Sequence, residues 1–159
     1  MEVDTPVLQS MSGGDASRPL VTHHTALDIP LYLRIANELY LKRLIVGGFD
    51  WVYEFSRNFR NEGMDRTHNP EFTVLEFYVA YKDYLWMMET TEQLLEKAAI
   101  DTNGTTKVLS GETEIDFKAP YKRITMYDAI KEHTGFDIYE MNEEQLRDVC
   151  RQLHIHVDN

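Results

Sequence analysis

Two neighbouring runs of alternating apolar and polar residues, 51–60 and 70–81, most strongly restrict what this chain of 159 residues can fold into. A period of two is the repeat of a β-strand, whose successive side chains point to opposite faces. The segment between the runs, 63–69, is short and polar, so the pattern predicts an antiparallel hairpin. One face of this hairpin is apolar and is expected to pack on helices. It carries Trp51, Tyr53, Phe55, Phe59, Leu75, Phe77, Val79 and Tyr81.

The opposite face of the hairpin is polar, although a stable hairpin needs few charged residues. It carries Glu54, Ser56, Asn58, Arg60, Glu62, Phe72, Val74, Glu76 and Tyr78. One or two such residues would be explained most simply by contact with water. A larger set with an arginine, carboxylates, a phenol and a ring, and with His68 and Asn69 at the loop end, is more typical of an active site.

The residue types at the loop end of this polar face indicate a nucleoside triphosphate. The planar fork of Arg60 suits a phosphate group, and Phe72 can stack on a flat base. Glu62 can accept a hydrogen bond from the exocyclic amine of adenine, while His68 and Asn69 can reach the outer phosphates. The sequence contains neither a Walker glycine loop nor a Rossmann fingerprint, so those nucleotide-binding folds are not expected.

Further along the same face, Glu76 and Tyr78 can hold a cationic group. A partly buried ammonium group requires a compensating negative charge, which a carboxylate supplies. The hairpin therefore predicts a triphosphate site beside a pocket for an ammonium group.

The remainder of the chain predicts short strands and helices. Residues 9–19 predict a loop, while 20–25 and 29–35 predict strands. A helix is expected over 37–46, capped by Asn37 and ended by a Gly-Gly pair. Its inward side chains are expected to be Leu39, Leu44 and Ile45.

Three helices and one hairpin are expected in the second half. The helix over 83–99 is amphipathic. Its core stripe is expected to be Met87, Met88, Leu94, Leu95 and Ala98. Residues 107–117 predict a hairpin, and two shorter helices are expected to begin near Thr125 and after Asn142.

Charge and cysteine content limit which binding partners and which cellular compartment are expected for the protein. The chain has 27 acidic and 16 basic residues and a formal net charge of -11, so non-specific binding to nucleic acid is not expected. A local basic patch for an RNA partner stays open. Cys150 is the one cysteine, which excludes an intrachain disulfide and fits a reducing cytoplasm. No apolar run approaches the length of a membrane span, so we expect a cytoplasmic location without membrane contact.

No metal site is predicted within this chain. His23 and His24 fall on opposite faces of a strand, and His154 and His156 share a face without a further ligand. Cys150 lies on an apolar helical stripe and is expected to be a small core residue. All five residues are therefore expected to have structural roles.

Longer stretches resemble one enzyme family. The stretch similar to motif 2 of the class II aminoacyl-tRNA synthetases, with its Arg-x-Glu, variable loop, Phe and Glu, is FRNEGMDRTHNPEFTVLEFYVAY. Similarity to the lysyl-tRNA synthetases of class IIb is carried by SGGDASRPLVTHH, YLRIANELYLKRLIVGGFDWVYEFSRNFRNE and HNPEFT. The opening MEVDTPVL resembles the end of motif 1, whose proline lies at the dimer interface of that family. The resemblance covers nearly the whole chain and weakens after about Lys107.

The resemblance implies an α+β fold, with a class II synthetase-type antiparallel sheet flanked by helices that is incomplete in this chain. Residues 1–159 would form the N-terminal part of a catalytic domain. Motif 2 would lie at about 53–81, followed by a hairpin and helical segment at 105–159. Because both ends are abrupt, we expect a part of a longer protein in which Met1 is internal.

The resemblance also implies residue roles. Arg60 would be catalytic, because it would bind the α-phosphate of ATP and stabilise the transition state of adenylate formation. The ATP-binding residues would be Arg60, Glu62, His68, Asn69 and Phe72, with Glu62 on adenine and Phe72 stacked against it. The lysine-binding residues would be Gly14, Glu38, Glu76 and Tyr78.

The chain also departs from the family pattern. Asn37 stands where the family usually has a proline before the residue that matches Glu38, and little change is expected because asparagine also caps helices. Motif 3, the acidic metal ligands and the N-terminal OB-fold are not found in the sequence. The ligands of Mg²⁺ are therefore expected outside this chain, and the fragment alone is expected to be inactive.

The resulting hypothesis is that the parent enzyme activates L-lysine with ATP and transfers it to tRNA(Lys) as a homodimer. One alternative is a class II synthetase paralogue that lysylates a protein, which an N-terminal anticodon domain would argue against. Another is a non-catalytic nucleotide-binding or dimerisation module, which nucleotide binding without turnover would support. An aspartyl- or asparaginyl-type enzyme is disfavoured, because its pocket needs a cation where this face offers Glu76 and Tyr78.

Overall fold

The computed structural model describes residues 1–14 and 16–157, which form two units, Met1–Tyr84 and Leu85–Asn159. In the first unit, strands β1 (Leu8–Gln9), β2 (Val21–His24) and β3 (Ile29–Leu33) form an antiparallel sheet in the order β1-β3-β2. The predicted strands at 20–25 and 29–35 are confirmed with small shifts of their ends. β3 ends at Leu33, and Arg34 and Ile35 beyond it are buried.

The predicted central hairpin is present as β4 (Trp51–Phe59) and β5 (Glu71–Val79). The two strands pair antiparallel over their whole length, from Trp51 opposite Val79 to Phe59 opposite Glu71. The start of the chain runs beside the other edge of β4, where Tyr53 N donates to Met1 O and Val3 N donates to Tyr53 O, each at 3.0 Å. The mixture of helices and antiparallel sheets agrees with the α+β class expected from the sequence.

The burial of the two hairpin faces is the reverse of the prediction. Within the described residues, the aromatic face is largely open, with Trp51 53% and Phe55 63% exposed. The polar side of β4 is buried instead, and it consists of Val52, Glu54, Ser56 and Asn58. The Glu54 carboxylate can be buried because it is paired with Arg34. This pairing offsets the cost of removing its charge from water, the cost on which the prediction of an exposed polar face was based.

Helix α1 (Glu38–Val46) lies against β4 and β5 and begins and ends where expected, after Asn37 and at Gly47. The side chain of Asn37, however, forms no cap hydrogen bond. The predicted inward face is wrong for Leu39, which is 44% exposed, whereas Leu41 is fully buried and the predicted Leu44 and Ile45 are half-buried. Two residues correspond to about 200° of helix rotation, so Leu39 lies almost opposite Leu41.

The second unit begins in the first turn of α2 (Tyr84–Asn103), which runs four residues past the predicted end. The predicted core stripe of α2 is wrong in part, because four of its members are exposed: Met88, Leu94, Leu95 and Ala98. The buried positions are Glu92 and Ala99. Glu92 accepts a hydrogen bond from Arg123 Nε at 3.2 Å, and this ion pair turns a different side of the helix inward.

The hairpin and the two shorter helices predicted for the second unit are confirmed, while Cys150, expected to be a core residue, is half-buried. Strands β6 (Lys107–Ser110) and β7 (Thr113–Asp116) form the hairpin. Helix α3 (Met126–Thr134) is capped by Thr125, whose hydroxyl accepts from Asp128 N at 3.1 Å. Helix α4 (Glu143–Gln152) follows Asn142, which forms a capping box with Gln145. No helix in the described ranges is long and apolar enough to cross a membrane.

Candidate functional site

The loop end of the β4–β5 hairpin forms a cavity of about 280 Å³. Its lining consists of Arg60, Glu62, Gly63, Thr67, His68, Asn69, Pro70 and Phe72. All five residues predicted to bind ATP therefore lie around one cavity, although they come from both sides of the loop. The hairpin register explains this, because Phe72 pairs with Asn58, two residues before Arg60.

Arg60 is held at the mouth of this cavity by its backbone and by an aromatic ring. Its amide nitrogen donates to Pro70 O at 2.9 Å, which closes the hairpin just beyond the paired strands. Its guanidinium carbon lies 5.2 Å from the centre of the Phe72 ring, within the range of a cation–π contact. The positive charge and the flat ring are thus adjacent, as a phosphate next to a stacked base would require.

Asp65 organises the loop between the strands, a role that the sequence analysis missed. Its carboxylate accepts from the amides of Thr67 at 2.7 Å and His68 at 2.8 Å, and it also pairs with His68 Nδ1. The hydrogen bond from the Thr67 amide, together with His68, lowers the pKa of the exposed Asp65. The signal was the Asp-x-Thr spacing, since aspartate often accepts from the amide two residues on.

At the position where an ammonium pocket is predicted, further along the face, a phenol and a carboxylate are linked by a hydrogen bond. Tyr78 OH donates to Glu76 Oε1 at 2.5 Å. Burial, the hydrogen bond to Glu76 and the negative charges of Glu76 and Glu38 raise the pKa of Tyr78. The charge of Glu38, at the start of α1, is therefore felt at Tyr78, and Glu38 itself pairs with Lys42 one turn along the helix.

Gly14, the fourth residue predicted to bind lysine, lies beside the start of α1. Its φ of +98° is in the left-handed region, which favours glycine. A Cβ atom there would lie 3.5 Å from the Cβ of Ala36, two residues before Glu38. The structure thus brings Glu38 and Glu76 within electrostatic reach of Tyr78 and puts Gly14 near the same helix end.

The main feature that was not predicted from the sequence is a buried polar network around Glu54. Glu54 Oε1 accepts from Thr5 N at 3.1 Å and Arg34 Nη1 at 2.9 Å. Its Oε2 accepts from Thr5 Oγ1 at 2.8 Å and Asn37 Nδ2 at 2.9 Å. Burial alone would raise the pKa of Glu54, but the bonds from Asn37 and Thr5 and the charge of Arg34 hold it below its usual range.

The described residues contain no group of three or more His, Cys, Asp or Glu side chains arranged to hold a metal ion. His23 Nε2 lies 3.2 Å from Asp28, and His24 Nδ1 accepts from Leu27 N at 3.2 Å. Both histidines therefore contact the turn between β2 and β3.

Comparisons with known proteins identify the family of this chain. The sequence model of the family described as "tRNA synthetases class II (D, K and N)" matches residues 1–156. The chain is 73% identical over 155 residues to a protein of Porphyromonas gingivalis named "Lysine--tRNA ligase", covering 98% of the chain and 27% of that protein. Proteins with the same name in Azobacteroides pseudotrichonymphae and Christiangramia forsetii are each 70% identical over 158 residues.

The chain spans about a third or less of the length of these relatives, since it covers 32% of the Azobacteroides protein and 28% of the Christiangramia protein. The match nevertheless extends over 99% of the chain in both cases. The chain belongs to the class II tRNA synthetase family of the D, K and N type.

Proposed function

We propose that the protein carrying this sequence is a lysine–tRNA ligase, which activates L-lysine with ATP and transfers it to tRNA(Lys). Residues 1–159 are the N-terminal part of its catalytic domain, and the full-length protein acts as a homodimer in the cytoplasm. The single observation that carries the proposal is the hydrogen-bonded pair of Glu76 and Tyr78, which feels the charge of Glu38 from α1 and lies on the hairpin face that also bears the Arg60 cavity.

The two ends of the hairpin face bind different substrates, ATP at the loop end and lysine at the other. Arg60, Glu62, His68, Asn69 and Phe72 hold ATP. The phenol and the carboxylates hold the ammonium groups of lysine, since a cation leaving water needs opposite charge nearby. Gly14 leaves room for the substrate backbone at the helix end. The relatives named "Lysine--tRNA ligase" support lysine as the amino acid.

In the first step, a carboxylate oxygen of lysine attacks the α-phosphorus of ATP, and the bond from that phosphorus to the bridging oxygen of pyrophosphate breaks. No general base is required, because the lysine carboxylate is already ionised at neutral pH. Arg60 stabilises the negative charge that develops on the α-phosphate oxygens, and positioning of both substrates supplies much of the acceleration. The products are lysyl-adenylate and pyrophosphate.

In the second step, a hydroxyl group at the end of tRNA attacks the carbonyl carbon of lysyl-adenylate and releases AMP. Mg²⁺ would neutralise phosphate charge when bound, as it does in phosphoryl-transfer sites generally. The described residues offer no acidic cluster that fits this ion, so no step is assigned to a metal in this chain.

The acceptor of lysine is the feature that separates this function from its alternatives. The full-length protein would be incubated with ATP, radiolabelled lysine and either bulk tRNA or candidate acceptor proteins. Stable label on tRNA is the expected result. Label on protein alone would instead assign the protein to the paralogues that lysylate proteins, and nucleotide binding without any labelled product would assign it to the non-catalytic modules.

A further inference from the structure

We propose that Arg34 is a positioning residue for the lysine pocket, because it neutralises Glu54 and so lets Glu76, directly across the hairpin, keep its negative charge for the substrate. This inference rests on the proposed function, since it takes lysine as the cation that Glu76 binds. Arg34 touches neither substrate, and its effect is transmitted through Glu54.

The register of the hairpin places two carboxylates opposite each other, and Arg34 offsets the resulting repulsion. Glu54 and Glu76 are direct partners in the β4–β5 register, so their side chains leave the same face of the sheet. The Cβ atoms of directly opposite residues are about 4.5–5.5 Å apart, and like charges in such positions repel each other. Two ionised carboxylates would therefore be unstable there unless one of them were neutralised.

Arg34 is fixed in the position that neutralises Glu54. It is 2% exposed, and its Nη1 donates to Glu54 Oε1 at 2.9 Å and to Thr5 O at 2.8 Å. Its Nε donates to Arg57 O at 2.9 Å, which anchors the guanidinium to β4 itself. A guanidinium with this many fixed partners cannot move away from Glu54 without breaking several buried hydrogen bonds.

Arg34 is the cation that pairs with Glu54. The other hydrogen-bond partners of Glu54, Thr5 and Asn37, are neutral, so Arg34 is the one ion-pair partner of Glu54 in the described residues. The other titratable groups of this hairpin face are Glu76 and Tyr78 from β5 and, at the loop end, Arg60 and Glu62, while Glu38 acts on Tyr78 from α1. The Arg60 guanidinium lies over the Phe72 ring in the loop-end cavity. Lys42 is paired with Glu38 rather than with Glu54.

The test compares three variants in the full-length protein: Arg34→Gln, Arg34→Lys and the double variant Arg34→Gln/Glu54→Gln. The lysine KM and the ATP KM are measured by ATP–pyrophosphate exchange between about pH 6 and pH 8.5. Arg34→Gln leaves two facing carboxylates that share a proton, so the lysine KM should rise about tenfold at pH 7 and recover as the pH rises. The ATP KM should stay within about twofold of the wild type, because the Arg60 cavity is not affected.

The other two variants distinguish the effect of losing the Arg34 charge from structural damage caused by the substitution. The double variant removes the extra negative charge, and Arg34→Lys keeps the positive one, so both should retain a lysine KM within about threefold of the wild type. A lysine KM in Arg34→Gln equal to the wild type, or one raised as much in either of the other two variants, would overturn the inference. If Arg34→Gln does not fold, the lysine KM values of the other two variants are compared with the wild type. Values within about threefold support the inference, and a larger rise in either variant overturns it.

The same experiment distinguishes this inference from the proposed function. Wild-type protein that shows no lysine-dependent exchange would refute the proposed function, and the role of Arg34 would fall with it. Wild-type protein that is active with lysine, together with an unchanged lysine KM in Arg34→Gln, would refute the role of Arg34 alone.

Discussion

The hydroxyl group of Tyr78 donates a hydrogen bond of 2.5 Å to the carboxylate of Glu76, two residues earlier on the same strand. This contact fixes one carboxylate oxygen of Glu76. The phenol also stays protonated at neutral pH, because burial and the neighbouring carboxylates raise the pKa of Tyr78. Residues i and i+2 of a strand share a face, so the pair faces the proposed lysine pocket as a unit.

Removal of this phenol should weaken lysine binding without affecting ATP. In Tyr78→Phe, the lysine KM is expected to rise about tenfold, which corresponds to the loss of one hydrogen bond to a charged group. The measurement is ATP–pyrophosphate exchange at varied lysine concentration. Tyr53→Phe is the matched control, because that hydroxyl lies on the other hairpin face and contacts Glu2 at 3.4 Å. Equal lysine KM values for Tyr78→Phe and the wild type would exclude Tyr78 from the pocket.

Arg60 should act on the rate of adenylate formation more than on substrate binding. Arg60→Lys keeps the charge but loses the planar fork and the contact with Phe72, so kcat is expected to fall by about 100- to 1,000-fold. Arg57→Lys, on an exposed ion pair with Glu71, should lose less than about twofold. Single-turnover formation of lysyl-adenylate provides the measurement, and comparable losses in both variants would contradict the assignment.

The burial of α1 can be tested by two leucines. Leu41→Ala removes a fully buried side chain and should lower the free energy of unfolding by about 2–5 kcal/mol. Leu39→Ala removes one that is 44% exposed and should cost less than about 1 kcal/mol. Urea denaturation of the full-length protein measures both, and an equal cost would show that the helix is rotated relative to this structure.

Glu54 should make the stability of the protein sensitive to acid. Its pKa is lower in the folded chain than in the unfolded chain, so its contribution is complete above the unfolded value of about 4.3 and is lost as the pH falls through the folded value. Urea denaturation between about pH 3 and pH 7 should therefore show a smaller acid-dependent loss in Glu54→Gln than in the wild type. An identical pH slope in both proteins would mean that the Glu54 carboxylate does not gain stability from its buried partners.

The features predicted well from the sequence are those that depend on nearby residues. The β4–β5 hairpin follows from a period of two on both sides of a short loop, and the caps at Thr125 and Asn142 follow from side chains that reach amides three residues away. The five residues proposed to bind ATP line one cavity for the same reason, because the hairpin alone brings them together.

The features predicted badly depend on residues that are distant in sequence. The polar side of β4 is buried because Arg34 and Thr5 supply partners for Glu54 from 20 and 49 residues away. Asn37, which was expected to cap α1, instead donates a hydrogen bond to Glu54 in β4, the next element along the chain. Neither partnership leaves a periodic signal in the sequence, so alternation alone assigned the wrong face to the interior.

The proposed function depends most directly on which amino acid the full-length protein activates. ATP–pyrophosphate exchange would be measured with lysine, ornithine, arginine, aspartate and asparagine at the same concentration. We expect strong exchange with lysine, about 100-fold weaker exchange with the others, and loss of the lysine signal in Glu76→Gln if the proposed function is correct. Exchange with aspartate or asparagine instead of lysine, or an unchanged lysine signal in Glu76→Gln, would contradict it.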